Sequence, residues 1–151
     1  NKGEKDGVKL DMGVISNGGV VGIVYKVSKN YSTVIPIINT NFKLSGKIKK
    51  NNFFGSVLWN GKNPKVVQLN EIPGYVNISK NDTIVTSGFS AVFPENILIG
   101  KIINYNKNPA TQFYNIDVEL FNDFRNIKHV YIINSINYEE QITIEKETYD
   151  N

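Results

Sequence analysis

The stretch from Asp82 to Ile103, DTIVTSGFSAVFPENILIGKII, most constrains what this chain can fold into. Thr83–Thr86 alternates in the manner of a strand, Gly88 offers the positive φ of a tight turn, Pro94 sets a second bend, and Ile97–Ile103 is a β-rich run broken only by Gly100. The pattern predicts two strands joined by a shaped connection. A weaker version of the same phrase stands earlier, with Met12–Ser16, a turn at Asn17-Gly18-Gly19, and Val20–Val24 carrying Gly22. The recurrence predicts a pseudo-repeat of two β lobes.

Taken in order, Asn1–Lys9 is polar and glycine-loosened, a leader into the fold. Met12–Ser16 and Val20–Val27 read as a hairpin across the Asn-Gly-Gly turn, and Tyr31–Ile38 as a further strand whose Pro36 belongs at an edge or bulge. In Phe42–Ile48, Phe42, Leu44, Gly46 and Ile48 alternate with Lys43, Ser45 and Lys47, so one face is expected in the core and the lysines in water. Phe53–Trp59 and Val66–Leu69 are expected to pair across a hairpin turn at Asn60-Gly61. Glu71–Asn81, with Pro73-Gly74 and a polar run, is the best boundary between lobes. Asn104–Gln112 is expected as a polar turn, Phe113–Phe121 and His129–Ile136 as strands, and Tyr138–Asn151 as an acidic, mobile tail. The organisation is therefore a leader over 1–11, a first lobe over 12–72, a second over 73–138, and a tail over 139–151. Short strands between glycine turns, without 3.6-residue periodicity, make an all-β chain with no substantial helix, built as small barrels or sandwiches.

Composition excludes several functions. The 151 residues contain no cysteine and one histidine, so disulfides, thiolate metal sites and multi-histidine metal sites are out of reach. No cofactor motif is present: Gly18-Gly19-Val20-Val21-Gly22 resembles a phosphate loop only superficially, because a strand rather than a helix follows it. A serine hydrolase would depend on His129, which sits in an apolar run, while Gly88-Phe89-Ser90-Ala91 lacks the second glycine of a nucleophile elbow. Asp117 and Glu119 share a strand face but read as exposed polar residues. The longest apolar run, Val20–Tyr25, is too short to cross a bilayer, although the start at Asn1 rather than methionine fits a piece of a longer protein.

One constellation keeps an alternative open. Lysines over Lys43–Lys65 lie among Phe42, Phe53, Phe54 and Trp59, and such a face can bind single-stranded nucleic acid by phosphate neutralisation and base stacking. The bland reading, a solvated lysine face over an aromatic core, is preferred, and Arg125 as the only arginine supports it.

Gly7-Val8 with Met12 and Val14, Gly19-Val20-Val21-Gly22 with Val24 and Tyr31-Ser32, and Asp82-Thr83, Val85-Thr86-Ser87-Gly88, Phe93-Pro94 and Ile99-Gly100-Lys101-Ile102 together resemble the extracytoplasmic β domain of the bacterial rod shape-determining MreC family. The resemblance spans roughly residues 6 to 136 and implies two six-stranded β-barrel lobes in tandem, following a transmembrane helix and a coiled coil. It implies a non-enzymatic scaffold of the cell-elongation machinery, anchored by a single pass in the inner membrane with this domain in the periplasm. The implied partners are a second copy of itself, the elongation penicillin-binding transpeptidase and MreD, with no small-molecule substrate, cofactor or nucleic acid. Gly19, Gly22, Asp82, Thr86, Ser87, Gly88, Pro94 and Gly100 are the motif residues, read as structural. Trp59, Phe89 and Phe93 are the expected partner contacts, because large aromatics beside turns make binding anchors.

Overall fold

A computed structural model describes residues 1–134. The strands are β1 (Gly13–Ser16), β2 (Gly19–Val27), β3 (Ser32–Pro36), β4 (Lys43–Ile48), β5 (Phe54–Leu58), β6 (Val66–Asn70), β7 (Thr83–Thr86), β8 (Leu98–Lys107), β9 (Tyr114–Leu120) and β10 (Tyr131–Ile133). One 3-10 turn, Glu4–Asp6, is the helical content of the described residues. All pairing is antiparallel. Strands β4-β5-β6-β9-β8-β7 close into a barrel, and β10-β1-β2-β3 form a four-stranded sheet. The expected tail over 139–151 and the end of the His129–Ile136 run lie outside the described residues.

The all-β reading holds, but its division into lobes changes. The described residues close one six-stranded barrel and form one four-stranded sheet, so a second closed barrel is not seen among them. The expected boundary at residues 72 and 73 falls inside the barrel, because β4–β6 and β7–β9, from either side of it, share that closed sheet. Glu71–Asn81 is no linker: Ile72, Val76 and Ile78 are buried in the barrel core, and the Tyr114 hydroxyl donates to the Val76 carbonyl at 2.9 Å. Its polar residues face water while its apolar ones close the barrel. The chain begins in the sheet, builds the barrel, and returns to the sheet through β10.

Two cores result. Leu44, Ile48, Val57, Val67, Leu69, Ile84, Ile102, Ile116 and Val118 fill the barrel, joined by Val20 and Ile37 from the sheet side. Val8, Met12, Val14, Val21 and Val24 form a second core under Phe124 and Ile127. Val20 and Val21 therefore point to different cores, which explains why this stretch of β2 is apolar on consecutive residues rather than alternating. The leader contributes too, since Val8 is buried and the Glu4 amide donates to the Ser28 carbonyl at 2.9 Å.

One local expectation holds and another shifts. Strands β5 and β6 pair antiparallel as expected, with Asn60-Gly61 inside a Trp59–Lys65 connection held by the Trp59 indole donating to the Asn63 carbonyl at 2.9 Å. Strand β8 runs through Lys107 where a polar turn was expected from Asn104. A bulge between Ile102 and Asn104 re-aims that strand, which then continues as a polar ribbon paired with Tyr114–Asp117.

Candidate interaction surface

The connection from Ser87 to Ile97 crosses the outer face of β4 as a strap, and its fastenings come mostly from motif residues. Thr86, almost fully buried, donates its hydroxyl to the Pro94 carbonyl at 2.6 Å and accepts the Ile97 amide at 2.8 Å. The Ser87 hydroxyl donates to the Ser45 hydroxyl at 2.7 Å. Gly88 turns the chain at φ 80, a left-handed conformation that disfavours a side chain. Lys47 reaches under the strap to Glu95 and donates to Asn52 Oδ1 at 3.0 Å. Lys47 is therefore 6% exposed, although strand alternation places it on the outer face. The strap supplies a second layer that alternation cannot foresee.

At the foot of the strap, Asp82 accepts the Ser79 amide at 2.8 Å and pairs with Lys50 at 2.9 Å. Gly100, on β8, sits buried opposite Ile84 and Leu120. Gly22, on β2, is buried between Val14 and Pro36. Gly19 lies where sheet meets barrel: its φ is 117, and a Cβ there would fall 1.9 Å from the Leu98 carbonyl oxygen. That junction is clamped by Asn122, buried just after β9, whose side-chain amide donates to the Gly19 and Val20 carbonyls at 3.1 and 2.9 Å and accepts the Ser16 hydroxyl. Asn122 carried no signal in the sequence, being one asparagine among many.

The expected contact residues separate. Phe89, 65% exposed, rides on the strap and meets Phe54 edge-to-face at 4.7 Å between ring centroids. Phe93, expected at a partner surface, is 3% exposed and belongs to the barrel core. The strap turns inward there, and the Phe93 ring covers Gly13, whose added Cβ would lie 2.8 Å from it. Trp59 is half-buried against the barrel core, with its indole N–H committed to Asn63. The surface gains two aromatics not singled out as contacts. Phe54 is 55% exposed, and Tyr75, 81% exposed, stands edge-on to Phe53 at 6.3 Å. The doubled Phe53-Phe54 was the available signal, because consecutive strand residues face opposite ways and one of the rings must lack a core position. Two ring pairs thus spring from adjacent residues at one end of the β4–β5 hairpin. Such a cluster of exposed aromatics is a recognised mark of a protein-binding surface.

The lysine face does not assemble as a nucleic-acid site would need. Lys43, Lys49, Lys62 and Lys65 are exposed, but Lys47 is sequestered by Glu95, Lys50 pairs with Asp82, and Phe42 is buried. His129 is exposed, lies outside any strand, and has no hydrogen bond with a serine or carboxylate among the described residues. No cluster of histidine and acidic side chains able to hold a metal occurs among the described residues. Among the described residues, Asp123 is the one group whose acidity is clearly displaced. The Arg125 backbone amide and then the Asn126 side chain donate to its carboxylate and hold its pKa below the usual aspartate value.

Comparison with known proteins gives a consistent result. The family model described as "Rod shape-determining protein MreC, barrel core" matches residues 1–134. A cell shape-determining protein MreC from Listeria monocytogenes is 33% identical over 105 residues, which is 68% of this chain and 36% of that protein. The counterpart from Escherichia coli is 35% identical over 95 residues, 63% of this chain and 26% of that protein. This chain thus spans between 26% and 50% of the length of the curated relatives it matches. A solved structure of MreC from Listeria superposes with TM-score 0.82 at 27% identity, covering 89% of this chain and 65% of that one. A solved complex between penicillin-binding protein PBP2 and MreC from Helicobacter pylori matches with TM-score 0.66 at 20% identity, over 83% of this chain and 78% of that one.

Proposed function

This chain belongs to the MreC family of rod shape-determining proteins, a family of non-enzymatic structural proteins, and on that premise we propose that it is the extracytoplasmic part of a scaffold that helps set cell shape by binding peptidoglycan synthases. The partner is the elongation penicillin-binding transpeptidase, and the contact surface is the aromatic end of the barrel, Phe54 with Phe89 and Phe53 with Tyr75. The observation that carries the reading is the Phe54–Phe89 pair: two rings left in water, Phe54 on β5 and Phe89 on a strap fixed from beneath. A rigid presentation of apolar rings lowers the ordering cost of binding. The complex solved for the Helicobacter relative supports a transpeptidase as the partner class. Residues 1–11 continue from an upstream coiled coil and a membrane helix, which place the barrel in the periplasm, and β3, the edge strand of its sheet among the described residues, supports self-association and contacts with MreD.

Calorimetric titration of this protein with the extracytoplasmic part of the transpeptidase tests the proposal, with single-stranded DNA at two salt concentrations as the competing ligand. Saturable binding to the transpeptidase, weakened by Phe89→Ala or Phe54→Ala and unchanged by Lys62→Ala, is expected. Binding to DNA that falls with salt, with the transpeptidase ignored, would transfer the function to the exposed lysines.

A further inference from the structure

We propose that Asn60-Gly61 is a site of spontaneous covalent modification, where deamidation through a cyclic imide rearranges the backbone beside Trp59. The chain holds two Asn-Gly dipeptides, Asn17-Gly18 and Asn60-Gly61, and the fold treats them oppositely. The reaction begins when base removes the proton from the glycine amide. That nitrogen then attacks the asparagine Cγ, forming an N–Cγ bond, and the side-chain nitrogen leaves as ammonia. Water opens the imide at one of its two carbonyls. Opening at Cγ leaves aspartate, and opening at the main-chain carbonyl leaves isoaspartate, with the chain routed through the former side chain.

Exposure and hydrogen bonding leave Asn60 open to this reaction. Both residues are exposed and outside any strand, in the Trp59–Lys65 connection. The amides around the reacting one are engaged: Asn60 N–H donates to Gln68 Oε1 at 2.9 Å, Lys62 N–H to Asn60 Oδ1 at 3.1 Å, and Lys65 N–H to Asn63 Oδ1 at 2.9 Å. Gly61 N–H has no hydrogen-bond partner among the described residues, so nothing is lost when it deprotonates. The Lys62 bond also helps. A donor on Oδ1 polarises Cγ and stabilises the negative oxygen that develops there during attack, as an oxyanion hole does.

Asn17 is exposed too, but its glycine amide is engaged. Gly18 N–H donates to Ser16 Oγ at 3.2 Å, and the Ser16 hydroxyl is itself tied to Asn122. The space beside Gly18 is filled, since a Cβ there would lie 2.3 Å from Asn122 Oδ1. The junction that clamps sheet to barrel thus protects one dipeptide while the loop leaves the other open.

The product has a local consequence. Isoaspartate lengthens the backbone between Trp59 and Gly61, in the span bridged by the Trp59 indole and the Asn63 carbonyl. Trp59 is the only tryptophan, so its emission reports the change. The test incubates the folded chain at neutral and mildly alkaline pH, with peptide mapping of both dipeptides and Trp59 fluorescence over time. Asn60 converts several-fold faster than Asn17, the rate rises with pH, and Trp59 emission shifts in step. In urea the two sites converge, and Gly61→Ala slows only the first. Equal or faster conversion at Asn17 in the folded chain, or an intact Asn60, would overturn the proposal.

Discussion

Lys47 and Glu95 form an ion pair across the outer face of β4 in which the lysine side chain is 7% exposed and the glutamate side chain 55%. Asn52 Oδ1 is the other acceptor for the ammonium. The pair is thus asymmetric: losing Glu95 strands a covered charge, whereas losing Lys47 leaves a carboxylate already in water.

That asymmetry gives the first prediction. Glu95→Gln costs about 2 kcal/mol, below the usual penalty for breaking a fully buried pair because water reaches the glutamate side. Lys47→Met, which removes the covered charge and keeps the packed stem, costs under about 1 kcal/mol. Urea denaturation of both variants checks the order, and the reverse order would mean that the lysine is solvated after all.

Phe93 and Phe89 stand four residues apart on one strap and answer to different measurements. Phe93→Ala empties a core position and costs about 3–5 kcal/mol in unfolding free energy. Phe89→Ala loses only the ring contact with Phe54, about 0.5–1.5 kcal/mol, and on the proposed function shows its main effect in transpeptidase affinity. Denaturation and titration run on both variants should split in this way.

Asn122 holds two carbonyls of the neighbouring lobe with one side-chain amide. Asn122→Asp replaces that donor with an acceptor, and each carbonyl left without a partner costs about 1–3 kcal/mol. Facing carbonyls, the introduced carboxyl favours its protonated form, so its folded-state pKa rises above its unfolded value. The variant is then closest to wild type in acid and loses stability as pH rises above the unfolded carboxyl pKa. Thermal melts across that range check the sign.

Asp123 runs the other way. Its pKa is lowered in the folded state by the Arg125 amide, then by Asn126. Its contribution to stability is present above the unfolded aspartate pKa and is lost as pH falls through the folded value. An NMR titration of the carboxyl carbon should show a midpoint below that of aspartate in an unstructured peptide, and Asp123→Asn should remove that part of the acid dependence.

Strand positions were legible because their causes are local. Val14, Val24, Leu44, Ile48, Ile84 and Ile102 sit where period-2 patterning puts them, and Gly88 turns where only a residue free of Cβ strain turns easily. Thr86 and Pro94 bond to each other within one short stretch of chain, whereas Ser87 is tied to Ser45, far away in sequence. The lobe boundary was not legible: Pro73-Gly74 reads as a linker, yet Ile72 and Val76 on either side of it close the barrel.

What the order of residues determined by itself is the all-β class, most strand locations and the shaped connection after Thr86, because backbone preference and side-chain alternation act over a few residues. What tertiary structure decided is which strands share a sheet, that Lys47 is covered, that Phe93 turns inward while Phe54 and Phe89 stay in water, and that Asn122 locks the junction. Each of these depends on a partner distant in the chain, Glu95 for Lys47 and Gly19 for Asn122, and no local pattern encodes which distant group arrives.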